Sequence, residues 1–469
     1  MKISWGKICL GVAILLTIIS LTNCAKNKTT PKHVIFITVD TTRADYIGIY
    51  GSKRIKTPNL DALAKDSAVF KNCYSVTHTT IPSHTSLFTS LYLKDHGVIS
   101  MGQILPDFKD FLPKLFKRVG YKTAAFTSGG HLSPAININQ GFDDFFYPEK
   151  NENIAKKTAD KVINWLDINK NAPFFIWTHF FDPHMRYMPP PPYDTMYKYT
   201  SNKTFNDYDV KNVHEFDKRA YLKYNPDPEF YRNLYRGEIS YMDSQIGRVI
   251  EELKKLNIYD NSVIVLVADH GEFLGEHGLF YSHGGGIFNE VIHVPMFIKM
   301  ENQKQKGMRT QLVSSIDIYP TLTEIFGLKI SNPIRGKSLL SIIKNPASPE
   351  IRYRVYFEAV WRVMAGERTK DFTYIRDLYD VEKFKTVRGF MFPEKTKFVK
   401  NVKGRQKLFD NRLDGPQEHN LVDKKQKLAR QFEEDILKFS ADKINHHYKP
   451  GIVTDAKQLD KLKALGYTK

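Results

Sequence analysis

The chain runs to 469 residues, with 69 Lys and Arg against 51 Asp and Glu and a formal charge of +18. Its 42% hydrophobic and 13% aromatic content can build a large core, and 27 Gly with 23 Pro is ordinary for a globular protein, which excludes collagen-like, mucin-like and largely disordered chains. Three cysteines, Cys9, Cys24 and Cys73, exclude a disulfide framework and, without CxxC spacing, a zinc-finger or thioredoxin-like module.

In chain order, Lys2 and Lys7 precede an apolar run from Ile8 to Leu21 that is too short to span a bilayer and ends in Leu21-Thr22-Asn23-Cys24. Residues 1–23 have the layout of a signal peptide, and Leu-x-x-Cys resembles the lipobox of bacterial lipoproteins. That resemblance implies lipidation at Cys24 and a protein anchored in the bacterial cell envelope, at the outer membrane or periplasmic face. After a polar linker (24–32), Val34 to Val39 is a short apolar run of the kind buried on both faces of a parallel sheet, and it stops at Asp40. Thr57-Pro58 opens a predicted helix to Phe70, and a second runs from about Pro106 to Val119. A strand (Tyr121 to Thr127), a helix (Asn151 to Ile168), a strand (Phe174 to Thr178), a long helix (Pro228 to Leu256) and a strand (Ser262 to Ala268) follow. This alternation predicts an α/β fold, a doubly wound, mostly parallel sheet flanked by helices, as one domain over residues 33–350. From about Arg352 shorter strand candidates at Val355–Phe357, Phe372–Ile375 and Lys407–Phe409, with a helix near Lys424 to Phe439, predict a small α+β subdomain over 351–469. Pro189 to Tyr224 interrupts the rhythm as a surface insertion, a candidate lid or specificity loop.

Three segments at predicted strand ends or helix starts carry the chemistry. They are Asp40-Thr41-Thr42-Arg43-Ala44-Asp45, Thr80-Ile81-Pro82-Ser83-His84, and Asp269-His270-Gly271-Glu272 with Gly275-Glu276-His277-Gly278. With Asp182-Pro183-His184, Tyr241 to Arg248, Asp317 to Leu322 and Arg335 to Leu339 in the same order, the chain resembles the sulfatase family of the alkaline phosphatase superfamily over nearly its whole mature length. The resemblance implies an alkaline phosphatase-like fold and metal-dependent hydrolysis of an anionic ester, with Asp40, Asp269 and His270 on a divalent cation and Thr80 as nucleophile and further ligand. Family sulfatases carry Cys or Ser where Thr80 stands and Arg where His84 stands, and they oxidise the former to formylglycine. Threonine cannot become formylglycine. An adduct on Thr80 has no second hydroxyl to expel it and must be cleaved by in-line attack at the central atom, which moves the expectation from sulfate toward phosphate or phosphonate esters.

By residue type, the start of the Thr80 helix is a candidate anion cradle. Arg43 is a candidate buttress of the nucleophile or oxyanion, His84 takes the place of the family arginine, and His184 and His283 are candidates to protonate the leaving oxygen. His179 reads as a packed strand histidine. His131, in Gly129-Gly130-His131-Leu132, faintly resembles a family Lys-Trp-His-Leu segment whose lysine is absent. Carboxylate plus imidazole ligation suits Mn²⁺ or Zn²⁺, with Ca²⁺ also compatible, at one site rather than two; a second would have to use Asp182, His184 and His283. The expected substrate is a sulfated or phosphorylated saccharide, lipid or small molecule. The competing reading is a catalytically degenerate, lipid-anchored binding or adhesion protein. No zinc knuckle, recognition-helix pattern or RNP-like motif accompanies the positive charge, so no nucleic-acid partner is expected. Lys395, Lys397, Lys400, Lys403, Arg405 and Lys407 form an acid-free run suited to gathering anions beside a membrane.

Overall fold

The apolar run His33–Val39 is strand β1, buried along its whole length. The computed structural model describes residues 33–148, 154–207, 225–359, 363–378, 384–387, 390–393, 406–442, 444 and 448–464. The predicted signal peptide, Cys24 and the linker lie outside them, as do Lys395, Lys397, Lys400, Lys403 and Arg405. The expected helix from Pro58 is α1, but it ends at Lys65 rather than Phe70. The chain then turns, with Ser67 Oγ donating to the Leu63 carbonyl, and Ala68–Tyr74 becomes strand β2. Its opening Ala-Val-Phe is buried, and the β-branched and aromatic side chains fit a pleated surface better than another helical turn.

Thr80–Thr89 is α2, Leu112–Arg118 is α3, Lys122–Thr127 is β3 and Asp144–Phe146 is β4. Ile154–Asn169 is α4, Phe174–Phe180 is β5, and Pro228–Lys255 is α5. Asp227 caps α5 by accepting from the Glu229 amide at 2.8 Å, with Pro228 in its first turn where no amide is needed. Ser262–Ala268 is β6, Met296–Lys299 is β7, Gly307–Ser314 is β8 and Ile318–Phe326 is α6. The eight strands form one sheet in the order β8-β2-β7-β6-β1-β5-β3-β4. Strand β7 runs antiparallel to both its neighbours, and the other pairings are parallel. Helices α1 and α4 pack against α5, and α3 and α6 against α2, and these layers flank the sheet. The expected doubly wound, mostly parallel architecture is what is observed.

Beyond it, Val355–Glu358 (β9), Met364–Arg368 (β10), Phe372–Asp377 (β11) and Gln406–Asp410 (β12) form an antiparallel sheet in sequence order. Helix α7, Gln426–Ala441, covers it through Phe432 and Ile436, which pack against Tyr374 and Leu408. This sheet supports the catalytic end of the larger one. Val355, Phe357 and Phe409 share a core with Phe273, Ile287 and Phe288, and the Glu358 amide donates to the Val76 carbonyl at 2.8 Å, close before Thr80.

Candidate active site

Register places the first two acids. Val39 is level with Phe180 of β5 on one side and Ala268 of β6 on the other, so Asp40 and Asp269 leave adjacent parallel strands side by side. The Asp40 amide donates to the Phe180 carbonyl at 2.9 Å and the Asp269 amide to the Val39 carbonyl at 3.3 Å, which holds both at the carboxyl edge. Thr41 follows with φ +44°, a left-handed conformation that costs a β-branched residue about 1–3 kcal/mol. The strain turns its amide toward the carboxylates of Asp40 and Asp269. Gly271 is required for a different reason: a Cβ there would lie 2.1 Å from the Glu290 carbonyl oxygen, a close approach fixed by the Gly271 amide donating to Val291 at 2.9 Å.

Asp40, Asp269 and His270 each bring one ligand atom within 4.8 Å of the other two, and all three are fully buried. His270 Nδ1 faces the Gly271 carbonyl at 3.0 Å, so it carries the ring proton, and Nε2 presents a lone pair. That nitrogen lies 3.8 Å from Asp40 Oδ1, 3.7 Å from Asp269 Oδ2 and 3.3 Å from Thr80 Oγ1. Both oxygens of Asp40, Oδ2 of Asp269 and the hydroxyl of Thr41 are buried without a hydrogen-bond partner. So many orphaned acceptors in one place are costly unless a positive charge satisfies them, and the donor set fits a divalent cation. Electrostatics agree: burial and the charge of Glu272 raise the Asp40 carboxyl well above its ordinary value, burial and Asp40 do the same to Asp269, and burial holds His270 well below its own. Among the described residues no second group of this kind occurs. Asp182 is instead hydrogen-bonded to Glu238 and does not join His184 and His283.

Thr80 is the first residue of α2, and Thr79 is its N-cap without a side-chain capping bond. The Thr80 hydroxyl therefore does not cap; it meets His270 Nε2 at 3.3 Å and stands beside Asp40, whose carboxyl it holds lower than burial alone would. Ser75 and Ser83 donate to the Asp269 carbonyl at 2.5 and 2.8 Å and tie the nucleophile segment to the end of β6. The helix start is a weaker anion cradle than expected: Pro82 has no amide proton, and the Ile81 amide faces Met101 Sδ at 3.3 Å.

The other candidates fall into two groups. His184, with Nδ1 on the Met185 carbonyl at 2.6 Å and its ring stacked on Phe181, stands 5.4 Å from His283 between ring centres. His283 is in turn 4.5 Å from the His270 ring, and burial brings both His184 and His283 down to about 4. These two line the site. Arg43 and His84 act from behind it. Arg43 binds Asp45 through Nε and Nη2 at 2.9 and 2.8 Å, and Glu276 and the Glu272 carbonyl through Nη1, which clamps the loops after β1 and β6 together instead of reaching the nucleophile. His84 bonds the Thr80 carbonyl at 2.9 Å and Thr38 Oγ1 at 3.0 Å, holding the helix start rather than a substrate. His131 packs edge-on to Phe181.

Two residues of the site were not placed there by the sequence, Glu272 having no assigned role and His179 reading as a packed strand histidine. Glu272, fully buried, faces His283 Nδ1 at 3.2 Å and Tyr187 OH at 3.4 Å, and orients the imidazole. It sits in the Asp-His-Gly-Glu segment itself, which was its signal. His179 carries a nitrogen facing Asp40, which no pattern in the sequence announces.

A sulfatase family model matches residues 32–328, and a model described as N-sulphoglucosamine sulphohydrolase, C-terminal, matches 275–442. An N-acetylglucosamine-6-O-sulfatase of Bacteroides thetaiotaomicron is 25% identical, over 79% of this chain and 83% of its own. A structure of a protein with its substrate D-glucosamine-2-N,6-O-disulfate superposes with a TM-score of 0.69 at 22% identity, covering 88% of this chain and 98% of that one. The phosphonate monoester hydrolase of Agrobacterium radiobacter also gives 0.69, at 20% identity over 87% and 95%.

Proposed function

Because the chain belongs to the sulfatase family and is an ester hydrolase of the sulfuric and phosphoric ester class, we propose that it cleaves anionic esters through Thr80, with phosphoryl or phosphonyl esters preferred over sulfates. The observation that carries the proposal is the Thr80 hydroxyl at the start of α2, 3.3 Å from His270 Nε2 and beside Asp40. Asp40, Asp269 and His270 hold a divalent cation, with Thr80 as a further ligand; when bound, it supplies a lowered hydroxyl pKa and neutralises charge on a substrate oxygen.

The bare imidazole nitrogen takes the proton of the Thr80 hydroxyl as Oγ1 attacks the central atom, the bond to the leaving oxygen breaks, and that oxygen takes the proton from the imidazole. Water then gives a proton to the same nitrogen as it attacks in line, the bond to Thr80 breaks, and the Thr80 oxygen recovers the proton. Glu272 accepting from His283 Nδ1–H leaves Nε2 of His283 to make these transfers. His283→Ala is therefore expected to slow alkyl esters by about 10²–10⁴-fold and nitrophenyl esters far less. Equal losses across a leaving-group series would remove His283 from proton transfer.

The test of the whole reading is to incubate the metal-loaded protein with matched nitrophenyl phosphate, phosphonate, phosphodiester and sulfate esters. Sulfate turnover faster than all phosphorus esters would overturn the preference, and no turnover of any ester would overturn the catalytic reading. The names of similar proteins support saccharide substrates: one is a sulfatase of N-acetylglucosamine, another an ulvan-active sulfatase. The competing binding-protein reading gains no support from any of them. Leu21 to Cys24 supports a lipid anchor in the cell envelope. Cys24→Ala is expected to release the protein from membranes on fractionation, and unchanged retention would refute lipidation at that residue.

A further inference from the structure

Three buried groups converge on the hydroxyl of Thr38: Trp177 Nε1 at 2.9 Å, His84 Nε2 at 3.0 Å and His179 Nδ1 at 3.0 Å. Counting protons assigns every one of these bonds. His84 Nδ1 meets the Thr80 carbonyl, which can only accept, so the proton of the neutral ring is on Nδ1 and Nε2 is bare. The Thr38 hydroxyl therefore donates to His84 Nε2, and its two lone pairs accept from Trp177 Nε1–H and His179 Nδ1–H. That leaves His179 Nε2 as a lone pair.

This nitrogen stands 3.3 Å from Asp40 Oδ2. Both atoms are buried, and neither has a hydrogen-bond partner. Two acceptors at that distance repel unless positive charge lies between them. The arrangement repeats what is built on the other side of the carboxylate, where His270 has Nδ1 tied to a carbonyl and Nε2 turned to Asp40 Oδ1 at 3.8 Å. Asp40 thus stands between two imidazole lone pairs, one for each oxygen. A separation of 3.3 Å also suits two ligands of one ion, since tetrahedral bonds of about 2.0–2.1 Å set ligand atoms about 3.3 Å apart.

We propose that His179 Nε2 ligates a divalent cation bound at Asp40, and that Trp177, Thr38 and His84 form the chain of hydrogen bonds that sets its tautomer. The proposal rests on the metal-dependent reading of Asp40, Asp269 and His270 given above, and deepens it. An imidazole nitrogen beside each oxygen of Asp40 favours Zn²⁺ or Mn²⁺ over Ca²⁺, which prefers oxygen alone.

Two measurements independent of turnover test it. In crystals of the full mature protein loaded with Zn²⁺, an anomalous difference map is expected to show a peak within bonding distance of both Asp40 and His179 Nε2. In solution, His179→Ala is expected to weaken Zn²⁺ binding by at least about 10–100-fold in chelator competition, to leave Ca²⁺ binding nearly unchanged, and to alter the visible spectrum of the Co²⁺-loaded protein. A peak at Asp40, Asp269 and His270 with His179 out of bonding distance would overturn the proposal and leave the catalytic reading standing. Unchanged Zn²⁺ affinity and Co²⁺ spectrum would do the same. No peak at Asp40 would overturn both. If His179→Ala does not fold, the map of the unaltered protein still decides.

Discussion

Thr80→Ala is expected to lower kcat/KM for the best phosphorus ester by at least about 10³-fold with the fold intact by circular dichroism. Thr80→Ser, which keeps an oxygen nucleophile, should retain most of the activity. The magnitude follows from the position of Thr80. Its hydroxyl is the one nucleophile at the start of α2 that meets His270 and Asp40, and no neighbouring hydroxyl there shares those partners. Acid-quenched wild-type enzyme should carry a phosphoryl adduct on Thr80, detectable by mass spectrometry of the peptide. Hydrolysis persisting in Thr80→Ala at the wild-type rate would mean that water attacks directly and the residue only positions the helix.

The second large effect is metal removal. Chelation is expected to reduce turnover to background and to be reversed by Mn²⁺ or Zn²⁺ more effectively than by Ca²⁺, because imidazole stands in the donor set. Removal should also destabilise the fold, since a cation at 100 times its Kd adds about 2.7 kcal/mol. The pH dependence has a definite sign. Asp40 and Asp269 have folded pKa values raised by burial and by neighbouring negative charge. The metal-free fold therefore binds protons that the unfolded chain releases, and it loses stability as pH rises from the ordinary carboxylate range toward those raised values. A bound cation offsets that loss, so the gain in Tm on adding metal should be larger at pH 8 than at pH 5. The same argument makes Asp40→Asn more stable than wild type without metal, yet inactive. A Tm gain independent of pH, or full activity after exhaustive chelation, would remove the metal from this site.

Arg43 and His84 show where residue type misleads. Both are polar residues in segments that carry the chemistry, and a local pattern cannot tell whether such a side chain faces substrate or the scaffold. Arg43 is consumed by Asp45, Glu276 and a carbonyl. His84 is consumed by Thr38 and the Thr80 carbonyl. The helix expected to reach Phe70 failed for a related reason: an amphipathic start says little about where burial against β7 and β8 converts a segment to strand.

What the sequence determined by itself was the architecture and the position of the acids. Apolar runs at Val34–Val39 and Ser262–Ala268 read as strands that stop at Asp40 and Asp269, so each acid was placed at a strand end; that the two strands are neighbours in register, so that the acids meet, the sequence implied only through its family resemblance. Local signals were enough because strand identity, strand ends and helix starts are short-range properties. The tertiary structure alone decided which histidine nitrogens carry protons. Thr38 is 46 residues from His84, 139 from Trp177 and 141 from His179, and only their convergence on one hydroxyl sets the tautomers. A hydroxyl has one proton and two lone pairs, and that count, invisible in any linear pattern, turns a strand histidine toward Asp40 as a lone pair.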